Sequence, residues 1–238
     1  MTATMDINAD LGEGFPNDAV LLDQVTSASI SCGAHAGDRA TILATLQAAK
    51  ARDVPVGAHP GYPDREGFGR REFDLPAAQI TRFINEQFKK LLQIAGEAGV
   101  PLRFVKPHGA LYNQAQRDVV VARAVIEAMI ELGLPLLGQP GTVLERLAKE
   151  RGVPFISEGF PDRRYESDGR LVPRSRPDAI LHDDDEMAAQ VLRLVEQGIG
   201  ILCIHGDDPQ AVANAERVRT ILKSRGIEPR FWGRVQPA

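Results

Sequence analysis

The 238-residue chain has 43% hydrophobic and 25% charged residues, an ordinary globular balance with material for a sizeable core. A formal charge of −4 argues against the basic face that nucleic-acid binding requires. No apolar run approaches the roughly 20 residues that cross a bilayer, the start lacks a signal-peptide pattern, and Cys32 and Cys203 lie in apolar runs outside any Cys-x-x-Cys pair. The expectation is therefore a cytoplasmic protein with reduced thiols and no nucleic-acid or membrane partner.

Along the chain, Met5–Asp10 reads as the first strand. Its period of two puts Asp6, Asn8 and Asp10 on one face and Ile7, Ala9 and Leu11 on the other. Ala28–Gly33 is the second strand, followed by a helix over Arg39–Arg52 with Asp38 as its N-cap. Val54–His59 is the third, and a glycine- and proline-bearing loop leads to a helix over Ala77–Ala98 with Pro76 at its first position. The fourth, Arg103–His108, carries Lys106 and His108 on one face and precedes a helix over Val119–Leu132. Leu134–Gln139, Pro154–Glu158 and Ile201–His205 complete the strands, with helices over Thr142–Arg151, Glu186–Gln197 and Gln210–Arg225. Gly99, Gly133, Gly152, Gly198 and Gly226 each follow a helix. Strands alternating with helices pair in parallel through crossovers, which makes the class α/β. An open sheet covered by helices would have two apolar faces. One apolar and one polar face suits a closed barrel whose polar side chains gather at its mouth. With no linker or low-complexity segment, residues 1–238 are expected to form a single β/α barrel domain of about seven strand–helix units.

His59, His108 and His205 end predicted strands and His35 lies just beyond another, whereas His182 sits in a loop. Strand C-termini converge on one pocket in such barrels. One histidine there is as readily a partner for loop carbonyls; the shared placement is what points to chemistry. Asp10, Glu13, Asp38, Asp64, Glu158 and Asp207 join them at the strand ends. Lys106 is either a salt-bridge partner inside the barrel or an ammonium that stabilises an oxyanion or phosphoryl group. Asp10, His35 and His59 form either a ligand set for a divalent ion or a metal-free acid–base site. Arg163, Arg164 and the stretch Pro173-Arg174-Ser175-Arg176-Pro177 are either solvated surface or a clamp for an anionic substrate. The chain has no G-x-x-x-x-G-K-[ST] loop, dinucleotide turn, G-x-S-x-G elbow or H-E-x-x-H, so any nucleotide is held in another way.

At these residues the chain resembles a known family. Asp6–Gly14 (DINADLGEG), Ser31–Asp38 (SCGAHAGD), Gly57–Asp64 (GAHPGYPD), Gly67–Arg71 (GFGRR), Val105–Asn113 (VKPHGALYN), Leu171–Pro177 (LVPRSRP) and Cys203–Asp207 (CIHGD) are similar, in order, to the LamB/YcsF family of 5-oxoprolinase A subunits. The resemblance runs from about Asp6 to about Gly226. It implies a distorted seven-stranded parallel β/α barrel like that of polysaccharide deacetylases. It also implies a role with two partners, the B and C subunits, in opening 5-oxo-L-proline to L-glutamate as ATP is hydrolysed to ADP and phosphate. ATP is the cofactor this suggests, beside the divalent metal ion that Asp10, His35 and His59 could hold as residues at successive strand ends. The catalytic residues expected on this basis are Asp10, Glu13, Lys106, His108, His205 and Asp207. Ala9 stands where the family often has cysteine, Ala34 where it often has an aromatic residue, and the stretch before Ile201 is short.

The need for ATP follows from the substrate, because water attacks a resonance-stabilised lactam slowly and phosphorylating its oxygen makes the ring carbon electrophilic. Two other readings stand beside this one: a metal-dependent carbohydrate deacetylase acting alone, and a non-catalytic subunit that holds the ligand.

Overall fold

The structure, a computed structural model, describes residues 3–174 and 176–233; Ser175 of the expected cationic loop lies outside the described residues. Seven parallel strands close into a barrel: β1 (Thr4–Leu11), β2 (Ser27–Ser31), β3 (Val56–His59), β4 (Leu102–Val105), β5 (Leu136–Gly138), β6 (Phe155–Gly159) and β7 (Ile201–Ile204). They pair in sequence order, and β1 closes the ring by pairing with both β7 and β2. A two-residue strand, β8 (Glu228–Pro229), adds to the base of β1 at Thr4 and Met5.

The helices are α1 (Asp18–Leu21), α2 (Arg39–Ala51), α3 (Ala77–Ala98), α4 (Gly109–Ala115), α5 (Val119–Leu132), α6 (Val143–Arg151), α7 (Asp184–Glu196) and α8 (Ala211–Ser224). Asp38 caps α2 as expected, accepting from the Thr41 amide at 2.8 Å. Pro76 stands one position earlier than expected, at the N-cap of α3. The other departures are α1, α4 and β8, all short, which the sequence pattern does not mark. None of the described helices is long and apolar enough to cross a membrane.

The period-two alternation of the strands builds the barrel in layers. Ile7, Ala9, Leu11, Ile30, Val56, Ala58, Leu202 and Ile204 face outward and pack with the helices in the main core. Ala9 therefore belongs to this outer core, on the face of β1 opposite Asp10, and a thiol at position 9 would not reach the site. Inside, Phe104, Leu137, Ile201 and Phe231 plug the base. Gly57 makes room for that plug, since a Cβ on it would lie 2.2 Å from the Phe104 ring. Above the plug sits a polar belt. Asn8 donates to Ser27 Oγ at 2.7 Å and accepts from Ser29 Oγ at 2.8 Å, while Asp6 accepts from Thr26 and Ser27. The belt supports Asp10 and Lys106, on which the site is built.

Candidate active site

A cavity of about 1100 Å³ opens at the C-terminal ends of the strands, where Asp10, Glu13, His59, Lys106, His108, His205 and Asp207 all line it. His35 is the exception among the clustered histidines. It lies buried behind His108, ring stacked on ring at 3.7 Å. His182 is exposed, away from the cavity.

The floor is a buried ion network. Lys106 Nζ lies 2.8 Å from Asp10 Oδ1, 3.0 Å from Glu158 Oε1 and 2.8 Å from Cys203 Sγ. Burial opposes both charges, yet His59 and Lys106 hold the Asp10 carboxyl well below its usual range, and Asp10 holds the ammonium well above its own. Burial pushes the Glu158 carboxyl up, against the charge of Lys106. Donating to Asp10 and to Cys203 Sγ, with Glu158 at ion-pair distance, Lys106 acts as a fixed positive charge.

Beside the floor, Glu13, His35, His59 and His108 offer one carboxylate oxygen and three ring nitrogens, all within 4.8 Å of one another. Gly12 and Gly14, at φ +76° and +98°, turn the chain after β1 so that Glu13 points back over the barrel. Glu13 Oε1 is 3.1 Å from His35 Nε2 and 3.5 Å from His108 Nδ1. Burial first, then the charges of Asp10 and Asp207, push the Glu13 carboxyl well up. Burial, then His59, pulls His35 down to about 3.

A proton count defines the His59–His108 contact. His59 Nδ1–H donates to the Lys106 carbonyl at 2.7 Å, and His108 Nε2–H donates to the Phe68 carbonyl at 2.9 Å. The remaining nitrogens, His108 Nδ1 and His59 Nε2, face each other at 2.9 Å. Three contacts need three protons, one more than two neutral imidazoles carry. Either His59 bears the extra proton beside Asp10, or a cation takes its place. Three ring nitrogens and a carboxylate oxygen make an N3O set that a divalent ion fits. Asp10, expected with His35 and His59 as a ligand, borders this set instead: Oδ1 is held by Lys106, and Oδ2 lies 3.4 Å from His59 Nε2.

The cover over the histidines comes from the loop after β3. Asp64 accepts from the Gly67 amide and from Arg71, closing the loop so that Phe68 and Gly69 lie against His35 and His108. Phe68 holds φ +54°, a strained value for a bulky residue, and presents the carbonyl that fixes the His108 tautomer. Gly69 cannot be larger, since a Cβ there would meet His108 at 2.8 Å and His35 at 2.9 Å.

On the opposite wall His205 pairs with Asp162, Nδ1 to Oδ2, at 3.0 Å and stacks on Phe160. Burial pulls His205 below the usual imidazole range against the opposing charge of Asp162. The ring is therefore neutral, donates Nδ1–H to Asp162 and keeps Nε2 as a lone pair. Asp207 lies at the mouth between Arg70 and Arg174. Sequence reasoning missed Asp162, Phe68, Arg70 and Gln116. The last lines the cavity, and neither polar atom of its buried carboxamide has a partner among the described residues. Asp162 carried a signal as an acidic residue just past a strand end, and Phe68 and Arg70 lie within the Gly67–Arg71 motif.

Comparison with known proteins agrees with this architecture. The model of the LamB/YcsF family matches residues 5–236. The A subunit of 5-oxoprolinase from Neisseria meningitidis is 44% identical over 239 residues, covering 94% of this chain and 98% of that protein. A lactam utilization protein from Thermus thermophilus superposes with a TM-score of 0.88 at 39% identity, covering 95% of this chain and 99% of that one. A family 4 carbohydrate esterase from Streptomyces lividans shares the fold at a TM-score of 0.51 and 13% identity, covering 95% and 91%.

Proposed function

The chain belongs to the LamB/YcsF family, and from that premise we propose that it is the A subunit of a cytoplasmic 5-oxoprolinase, opening 5-oxo-L-proline to L-glutamate. ATP hydrolysis to ADP and phosphate belongs, in this reading, to the assembly with the B and C subunits. The observation that carries the proposal is that one cavity joins a fixed ammonium, Lys106, to a neutral histidine oriented by a carboxylate, His205 with Asp162. That combination suits acyl transfer, which needs stabilised oxyanion charge and a moving proton.

The lactam carbonyl lies over Lys106, whose positive charge stabilises the oxygen as water adds to the ring carbon. His205 Nε2 takes a proton from that water while Asp162 steadies the resulting imidazolium. The C–N bond then breaks, and the same proton passes to the ring nitrogen, which becomes the amine of glutamate. The water oxygen stays on the new carboxylate. A divalent ion held by Glu13, His35, His59 and His108 would supply a Lewis acid beside the reacting carbonyl. Asp10 keeps Lys106 charged and borders His59, and Asp207 holds Arg70 and Arg174 at the mouth.

The deacetylase reading has in its favour the fold, shared at 13% identity, and the histidine cluster that a divalent ion fits. The purified chain, assayed for glutamate with 5-oxo-L-proline, ATP and magnesium, is expected to be inactive alone and active with the B and C subunits. Full turnover without them would remove the assembly from the proposal. No turnover with them would remove the 5-oxoprolinase reading and bring forward deacetylation, which an assay on acetylated sugars without ATP would then test.

A further inference from the structure

We propose that Arg70 and Arg174 form the receptor for an oxyanion of the substrate, with the Asp207 carboxylate occupying it as an internal stand-in. The inference rests on the lactam reading above and names the residues that would select its substrate. The three side chains come from loops after three different strands, β3, β6 and β7, and all line the cavity. Arg174 Nη1 lies 2.9 and 3.2 Å from the two Asp207 oxygens, and Arg70 Nη2 binds the same carboxylate. Two guanidinium groups thus share one carboxylate, each through a single nitrogen. The remaining N–H groups of both have no hydrogen-bond partner among the described residues.

Arg163, buried nearby, directs its N–H groups to the carbonyls of Ala179 and Val172, and burial followed by the charge of Arg174 pulls it down to about 10. Asp162, the other carboxylate here, is occupied by His205. Asp207 is thus the carboxylate that Arg70 and Arg174 share, and an anion displacing it would be met by both guanidinium groups. Arg70 also lies 4.9 Å over the Phe68 ring, which packs against His108 at 5.4 Å. The receptor is thus one aromatic ring away from the histidine cluster. A planar guanidinium fork takes a carboxylate or a phosphoryl group through paired hydrogen bonds. 5-oxo-L-proline offers the carboxylate on its ring, and a form activated by ATP would add a phosphoryl group.

Calorimetric titration of the full chain, without ATP or partner proteins, separates these sources. The probes are 5-oxo-L-proline, 2-pyrrolidone (the same ring without its carboxylate) and inorganic phosphate. If the carboxylate is the source, the wild type binds 5-oxo-L-proline more tightly than 2-pyrrolidone, and Arg174→Gln and Arg70→Gln each reduce that preference roughly tenfold or more. If the phosphoryl group is the source, phosphate binds and the same variants weaken it by a similar factor. Arg174→Lys, which keeps the charge but loses the fork, falls between. Asp207→Asn, which removes the competitor, tightens binding of whichever oxyanion is recognised, whereas a purely structural bridge would give no gain. The proposal is overturned if the wild type binds neither anion, or if the arginine variants retain wild-type affinities. Because no step of this test needs turnover, a 5-oxoprolinase assay that fails with the B and C subunits would count against the function and leave the binding result to stand separately.

Discussion

Lys106 and Asp10 meet at 2.8 Å on the cavity floor with almost no contact with solvent. From sequence alone, Lys106→Met is expected to abolish turnover and leave folding nearly intact. The pairing changes that expectation, because removing the lysine strands a buried carboxylate and costs about 3–5 kcal/mol. Chemical denaturation should show this loss, and Lys106→Met with Asp10→Asn should recover most of it while staying inactive. An unchanged midpoint for the single variant would mean that His59 alone sustains the Asp10 charge.

The His205–Asp162 pair sets a kinetic expectation. Asp162→Asn removes the charge that steadies the imidazolium and should lower kcat of the assembled enzyme by about two to four orders of magnitude. Because burial pulls His205 below its ordinary value of 6.5, the acid limb of kcat/KM should fall below that pH. Wild-type kcat in Asp162→Asn would place the proton carrier elsewhere.

Asp6 predicts a pH dependence of stability that has nothing to do with catalysis. Burial pushes its carboxyl up from 3.8 to about 7, against hydrogen bonds from Thr26 and Ser27. Between those values the folded chain binds the proton and the unfolded chain does not, so this group's contribution to stability falls as pH rises through the window. The full loss is on the order of 4 kcal/mol and is reached above about pH 7. Melting temperatures measured across the window should show Asp6→Asn losing less than the wild type as pH rises. Parallel curves would contradict the buried, protonated state.

Metal binding is testable apart from activity. The chain should take up one divalent ion, with zinc or manganese as the titrant, and chelation should lower its melting temperature because binding favours the folded state. Glu13→Gln and His59→Asn should each weaken binding by more than about tenfold. If zinc and manganese leave the melting temperature unmoved at millimolar concentration, the shared proton between His59 and His108 is the resident state.

The sequence made the barrel legible where side chains alternate, as in β1, and where a histidine ends a strand, as His59 does. It was less informative where local signals are weak. Glycine beside histidine makes His108–Tyr112 read as a loop in the sequence, yet Gly109–Ala115 is a helix. It is helical because Ala110, Leu111, Tyr112 and Ala115 are buried by the surrounding structure, which makes His108 an N-cap and not a strand end. Asp10 is expected as the ligand because it ends a strand beside the histidines, whereas Glu13 reaches them only through the turn at Gly12. Asp162 owes its place to a segment without periodicity that folds back through the bridges Arg163–Ile180 and Tyr165–Leu171. The Arg70–Asp207 contact spans 137 positions and has no local signature.

β1 is hydrogen-bonded to β7 and β2 along its edges and to β8 at its base. Its amides can therefore exchange with deuterium only when the whole barrel opens, whereas the segment carrying Arg163 and Arg174 is tied back by isolated bridges. Floor and rim are therefore expected to open separately, and under mild denaturant hydrogen exchange should reach the Arg163–Arg174 segment before the amides of β1.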